Sequence, residues 1–256
     1  MNRILEKAGC CQPSVGTFTH LKSTAAIESM SYTGLDYVII DTEHCGADMD
    51  FVSAAITAAD AAGVTPVVRV NEIARAAVLR PLDLGAKGII VPAVETVEQV
   101  RQLVRYAKFP PLGNRGFCPT RDGGWGFAEN AAAGAEAYME DCNRQTLLIP
   151  QCETAGCLAH IEEIAAMDGV DGIFVGPLDL SIALGCPMQL DAPQMTEAIG
   201  RILAACKQAG KLSFIFCGGA KDAKARLSTG FDSVTCSLDT LMYIQACRFM
   251  VEEILS

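Results

Sequence analysis

Residues 36–70 read DYVIIDTEHCGADMDFVSAAITAADAAGVTPVVRV, and the order of patterns within them decides the fold. Tyr37–Asp41 is an apolar run of strand length that ends on an acid. A polar turn follows, and then Phe51–Ala62, rich in Ala with apolar residues at helical spacing. Gly63 stops that helix as a C-terminal glycine cap does, and Pro66–Val70 opens a second β-branched run. Strand, helix and strand in this order form a βαβ unit. A strand apolar on both faces suits a parallel sheet covered by helices.

The same unit recurs outward in both directions. Strands are expected at Val15–Phe18, Tyr37–Asp41, Pro66–Val70, Gly88–Pro92, Thr146–Gln151, Gly172–Val175, Leu212–Cys217 and Ser233–Cys236. Helical spacing fills the intervals, for example at Val97–Ala107, Leu158–Met167 and Met195–Ala209. Gly85, Gly169, Gly210 and Gly230 repeat the punctuation of Gly63 just before the next strand. Such units build either a closed barrel or an open doubly wound sheet. The first strand is not followed by Gly-x-Gly-x-x-Gly, which removes the usual dinucleotide reading of the open form. A chain of 256 residues matches a (β/α)8 TIM barrel of roughly 250 residues. One α/β domain spanning 1–256 is therefore expected.

Composition excludes several classes of function. The net charge of -10 disfavours nucleic acid, whose phosphates call for basic clusters. No run approaches the roughly 20 apolar residues of a membrane span, and the N-terminal MNRILEKAGCC lacks the apolar segment of a secretory signal. A cytoplasmic location is the resulting expectation. The twelve cysteines include no Cys-x-x-Cys pair. Several, such as Cys206, Cys217 and Cys247, sit in apolar contexts where a thiol packs as a small hydrophobe, so reduced, structural cysteines are expected.

In a barrel of this kind the chemistry collects at the C-terminal ends of the strands. Strand two ends in Asp41-Thr42-Glu43-His44, strand three carries Arg69, strand five ends in Gln151-Cys152-Glu153, and strand six runs into Gly176-Pro177-Leu178-Asp179. Glu153 and Asp179 stand one βα unit apart, as two carboxylates at equivalent heights on adjacent strands. Without a Cys or His partner they form a hard oxygen set suited to Mg²⁺ or Mn²⁺. Ordinary loop acids and a glycosidase pair are the competing readings, the latter leaving Arg69 and His44 without work. His44, with Asp41 near enough to orient its ring, is a candidate general base. His160 is expected on a helix outside the rim, and His20 near the site but without partners. Arg69 within a strand needs an anion or several acceptors. The connection from Phe109 to Arg144, which holds Trp125, is too long to be routine and is expected on the strand C-terminal side.

Taken together, DYVIIDTEH (36–44), PVVRV (66–70), PLDLGAKGIIVPAVET (81–96), PPLGNRG (110–116), LIPQCET (148–154) and GVDGIFVGPLDLS (169–181) resemble the HpcH/HpaI aldolase family, in order from about Gly16 to Asp239. The resemblance implies reversible cleavage of a 4-hydroxy-2-oxo acid to pyruvate and an aldehyde through a metal-stabilised enolate. It implies that Glu153 and Asp179 hold a divalent metal, Mg²⁺, Mn²⁺ or Co²⁺. Gln151, Gly176, Leu178 and Asp179 would touch the substrate, and Arg69 would face the enolate oxygen. His44 would be the base, and Asp83, reaching over from a neighbouring subunit, would raise its basicity. A homohexamer with the last helix packed on a partner is implied as well. No lysine suited to a Schiff base is evident in the strands, in keeping with the metal-dependent class.

The sequence also departs from the family pattern. Thr42 stands where many members have Gly, and the first loop reads THLKST (19–24) rather than a stretch of small polar residues. His20, Lys22 and FCPTRDGGWGF (117–127) are expected to line the aldehyde side of the pocket. Two alternatives use related chemistry or none: an oxaloacetate-type decarboxylase or acyl-CoA lyase sharing the enolate, and a non-catalytic barrel. The second of these would be expected to lack one of the matched residues, all of which are present.

Overall fold

A computed structural model describes residues 2–256. Strands β1 (Ser14–Thr19), β2 (Tyr37–Asp41), β3 (Thr65–Arg69), β4 (Gly88–Val91), β5 (Leu147–Cys152), β6 (Gly172–Val175), β7 (Leu212–Cys217) and β8 (Ser233–Leu238) pair in parallel and in chain order. β1 returns to β8 to close the barrel. The glycines read as helix stops all adopt the positive φ that favours this residue, from 65° at Gly210 to 104° at Gly85 and Gly230.

Side chains alternate along each strand, and this sorts the apolar runs into two cores. Outward residues such as Val38, Ile40, Val68, Ile89 and Ile215 pack beneath the helix layer. Inward residues fill the barrel: Phe18, Tyr37, Ile39, Val67, Ile90, Ile149, Phe174 and Phe214. Full burial of one such side chain contributes about 1.5–3 kcal/mol, so both faces of every strand are committed to packing. Gly16 is the exception. It pairs with Tyr37 in register, and a Cβ there would lie 2.2 Å from the Tyr37 ring. The ring fills the space left by the missing side chain. Its hydroxyl shares a hydrogen bond with Thr235 Oγ1 at 2.7 Å and accepts from Ser233 Oγ at 2.9 Å.

The helix Arg3–Gly9 closes the N-terminal end of the barrel. Ile4 enters the inner core, Arg3 pairs with Asp36 at 3.2 Å, and Asn2 Nδ2 donates to Gln145 O at 2.8 Å. With this end sealed, the barrel opens only at the C-terminal ends of the strands.

Two expectations change. The helix expected at Leu158–Met167 breaks at His160 into Ala155–Ala159 and Ile161–Ala166. More consequentially, the long connection lies at the opposite end from the one expected. Helix Val97–Ala107 follows β4 and runs back antiparallel to the strands, so the extra length begins where that helix ends, near the strand N-termini. Lys108 there reaches Asp171, just before β6, at 2.7 Å. Arg121 donates to Leu84 O at 2.9 Å and to Asp60 Oδ2 at 2.9 Å. Lys87, just before β4, pairs with Asp122 at 2.7 Å. Phe109, Tyr138 and Cys142 give this segment a small core of its own.

Candidate active site

The inward rows continue past the packed layers into the chemistry. Tyr37 and Ile39 lead to Asp41, Val67 leads to Arg69, and Leu147 and Ile149 lead to Gln151 and then Glu153. Phe174 leads to Gly176, and Gly16 and Phe18 lead to His20. Period two thus lifts one polar residue from each of several strands to the open end, where a cavity of about 190 Å³ forms. His20, His44, Arg69, Gln151, Gly176, Leu178 and Asp179 line it, with an apolar wall of Phe18, Phe174, Phe216 and Leu238.

Asp41 lies under this mouth at 0% side-chain exposure, where only strong partners permit a charge. Arg69 donates to it twice, from Nε at 2.9 Å and Nη2 at 2.7 Å, the paired fork for which guanidinium suits a carboxylate. The Glu43 backbone N–H adds a third bond at 3.0 Å. Burial alone would raise the Asp41 pKa, but the Arg69 hydrogen bonds and charge outweigh it and hold the carboxyl below its ordinary value. The guanidinium also stacks over Phe18, 4.6 Å from the ring centroid. Its Nη1 sits 3.1 Å from Glu43 Oε2, an ion-pair distance without hydrogen-bond alignment.

Glu153 is buried across the mouth. Its Oε1 accepts from Ala93 N at 2.8 Å and its Oε2 accepts from Gln151 Nε2. Ala93 holds a left-handed φ of 53°, a strained conformation for a residue with a Cβ, and that turn carries the N–H bonded to the carboxylate. Burial raises the Glu153 pKa, and the charges of Asp179 and Glu43 add to the rise. Glu43 shifts the same way, first by burial. Gly176 lets these groups approach one another, since a Cβ there would meet Glu153 Oε2 at 2.6 Å and Gln151 Nε2 at 2.9 Å. Gln151 Oε1 is buried without a partner.

The histidines differ from their sequence reading. Asp41 does not orient His44. His44 is 62% exposed, and its nearest acid is Glu43 at 3.8 Å. Asp41 instead holds His20, expected to have no partner, through a 2.8 Å contact from Nε2 to Oδ2. Parity is the signal that could have found this, because Gly16, Phe18 and His20 share one inward row. Asp83 and residues 117–127 stay away from the mouth of their own chain. Asp83 pairs with Arg115 at 3.0 Å on the outer wall, beside an open cavity of about 600 Å³ shared with Arg80, Thr120, Arg121 and Trp125.

A family model described as HpcH/HpaI aldolase/citrate lyase matches residues 14–246. The chain belongs to that family. The HpcH/HpaI barrel described here is 30% identical to 2-keto-3-deoxy-L-rhamnonate aldolase of Klebsiella pneumoniae, over 92% of this chain and 86% of the relative. It is likewise 30% identical to a hydroxypyruvate/pyruvate aldolase of Rhizorhabdus wittichii, over 94% of each. Among solved structures, an HpcH/HpaI family protein of Burkholderia cenocepacia superposes with a TM-score of 0.91 at 32% identity, with 100% of both chains covered.

Proposed function

We propose that this HpcH/HpaI protein is a metal-dependent pyruvate aldolase, cleaving a 4-hydroxy-2-oxo acid to pyruvate and an aldehyde. One observation carries this reading: a buried Asp41–Arg69 pair and two acidic side chains, Glu153 and Asp179, converge on a single mouth that also holds two imidazoles, His20 and His44. The names of the two aldolase relatives support the same class.

The residues at the mouth fit a divalent cation. No cluster of three His, Cys, Asp or Glu stands ready as a closed cage among the described residues. Two carboxylates with open positions is the arrangement a hard cation shared with substrate oxygens requires. Burial raises Glu153 and the charges of Asp179 and Glu43 add to the rise; a cation between the acids would offset both. Glu153 and Asp179 would hold Mg²⁺, Mn²⁺ or Co²⁺, which when bound supplies Lewis-acid stabilisation to an enolate oxygen.

The rest falls to the chain itself. Arg69, locked by Asp41, presents fixed positive charge toward a developing oxyanion, so little reorganisation is needed as charge appears. Gln151, Gly176 and Leu178 border the space for the oxo acid. His44 is exposed and free enough to take the methyl proton. Asp83 of a neighbouring subunit is the proposed partner of its ring, for which the exposed His44 has room, since Glu43 at 3.8 Å stands beyond hydrogen-bond reach. The exposed apolar side chains of the helix Asp239–Leu255, among them Tyr243, Phe249, Met250 and Ile254, support assembly as a homo-oligomer, by family resemblance a hexamer.

The test is exchange of pyruvate methyl protons with D2O, followed by NMR with Mg²⁺ or Mn²⁺ and then with chelator. The expected outcome is exchange that needs the metal but no aldehyde and that falls at least 100-fold in Asp179→Ala. Exchange that persists unchanged in chelator would overturn the metal-dependent reading.

A further inference from the structure

We propose that His20 is a second proton-transfer residue of this site, serving the hydroxyl on the aldehyde half of the substrate. The proposal rests on the aldolase reading and extends it to a residue that reading does not use. In a ring of eight strands β1 stands opposite β5. A ligand whose oxo-acid end lies against Gln151, Glu153 and Asp179 therefore directs its far end toward His20 across the mouth. His20 lines that cavity at 21% side-chain exposure, open to a ligand yet largely out of water.

The residue is built in at both ends. Its backbone N–H donates to Asp239 Oδ1 at 2.7 Å. Asp239 is itself buried, and it also accepts from Thr19 Oγ1 at 2.7 Å and from the Leu21 N–H at 3.2 Å. Lys22, at a left-handed φ of 50°, ties the loop to the next one by donating from Nζ to Gly46 O at 2.8 Å. On the ring, Nε2 lies 2.8 Å from Asp41 Oδ2. Asp41 is ionised against Arg69, so it accepts, Nε2 carries the hydrogen, and Nδ1 is left as the basic nitrogen. No hydrogen-bond partner meets Nδ1 among the described residues. A carboxylate that fixes the tautomer and steadies the imidazolium is the arrangement a histidine base needs.

The step balances without any further reactant. In cleavage the C4 hydroxyl proton passes to His20 Nδ1, and the C4 oxygen becomes the aldehyde carbonyl. The C3–C4 bond breaks, and its electron pair forms the C2–C3 double bond of the pyruvate enolate as the keto π pair moves onto oxygen. The enolate takes a proton at C3 from protonated His44, which regains one from water, and His20 returns its own to water. In synthesis the same group donates to the aldolate oxygen.

This division of labour separates three reactions that share one enolate. Cleavage of 4-hydroxy-2-oxopentanoate has a hydroxyl proton to move, whereas pyruvate methyl exchange and oxaloacetate decarboxylation do not. In His20→Asn and His20→Ala, cleavage is expected to fall about 10²–10⁴-fold, while exchange and decarboxylation stay within threefold of the unaltered protein. Added imidazole is expected to restore part of the cleavage in His20→Ala. Equal losses in all three reactions would overturn the proposal, because His20 would then only prop Asp41 and Arg69. Unimpaired cleavage would overturn it as well. A wild-type protein that exchanges no pyruvate protons and decarboxylates nothing would instead bring down the aldolase reading, and this proposal with it.

Discussion

Removing the Arg69 guanidinium strips Asp41 of two hydrogen bonds and leaves a fully buried carboxylate facing only His20 and one backbone N–H. Breaking a buried pair from one side costs about 3–5 kcal/mol, so Arg69→Ala is expected to be destabilised by that order in urea unfolding. Its pyruvate proton exchange should be lost under conditions where the variant is still folded. Asp41 also sets a pH dependence. Its folded pKa lies below the ordinary value of 3.8, so the stability it contributes is fully present above that value and disappears as pH falls through the folded one. Asp41→Asn is expected to lose stability at neutral pH and to flatten the acid limb of a stability-versus-pH curve; an unchanged limb would show that the Arg69 pairing is not what depresses the carboxyl. Arg69, Asp41, Gln151 and Glu153 were legible in the sequence because each interrupts or ends an apolar run, where an unpartnered polar group is too costly to be incidental. The partner of His20 needed two readings combined, the inward parity of Gly16, Phe18 and His20 and the β1–β2 register that sets Thr19 beside Ile40, since neither alone places the ring beside Asp41.

Among the elements, the turn after β6 governs how closely the acids and the amide can meet. Gly176→Ala places a methyl group 2.6 Å from Glu153 Oε2 and forces the carboxylate or the strand to shift. The expected result is a loss of Mn²⁺ affinity of at least tenfold by calorimetry, with a melting temperature only a few degrees lower. Unchanged affinity would separate Glu153 from the metal. The strands themselves could be read to within a residue or two, because apolar runs buried on both faces allow little variation in length. The long connection was misplaced for a topological reason. A helix that follows a strand carries the chain to the other end of the barrel, so added length after Val97–Ala107 falls away from the mouth, whereas added length before it would fall beside the mouth.

For the whole molecule, the exposed apolar side chains of Asp239–Leu255 face water in the isolated chain, a surface larger than scattered apolar residues explain. Light scattering is expected to report a multiple of the 27.1 kDa protomer. Phe249→Asp, at a side chain 65% exposed, is expected to shift the mass toward the single chain without unfolding the barrel. Loss of pyruvate exchange in that variant would accord with Asp83 acting across a subunit boundary, and full retention would confine the chemistry to one chain. Family membership followed from the order of motifs, and barrel closure from eight βα units, the chain length and the missing Gly-x-Gly-x-x-Gly, while the assembly did not, since an apolar helix reads the same whether it packs on its own barrel or on another.

The separation between the two ends of the inward rows bears on how this protein can be remodelled. Folding draws on the lower layers, with Tyr37, Ile39, Val67 and Ile149 packed above a floor sealed by Arg3–Gly9, whereas selectivity draws on the top layer. Phe216 and Leu238 form an apolar wall on β7 and β8 that supplies no acid to the proposed cation, no stacking ring to Arg69 and no proton-transfer group. Libraries restricted to those positions can retune which aldehyde is accepted while the scaffold and the enolate half of the chemistry stay inherited.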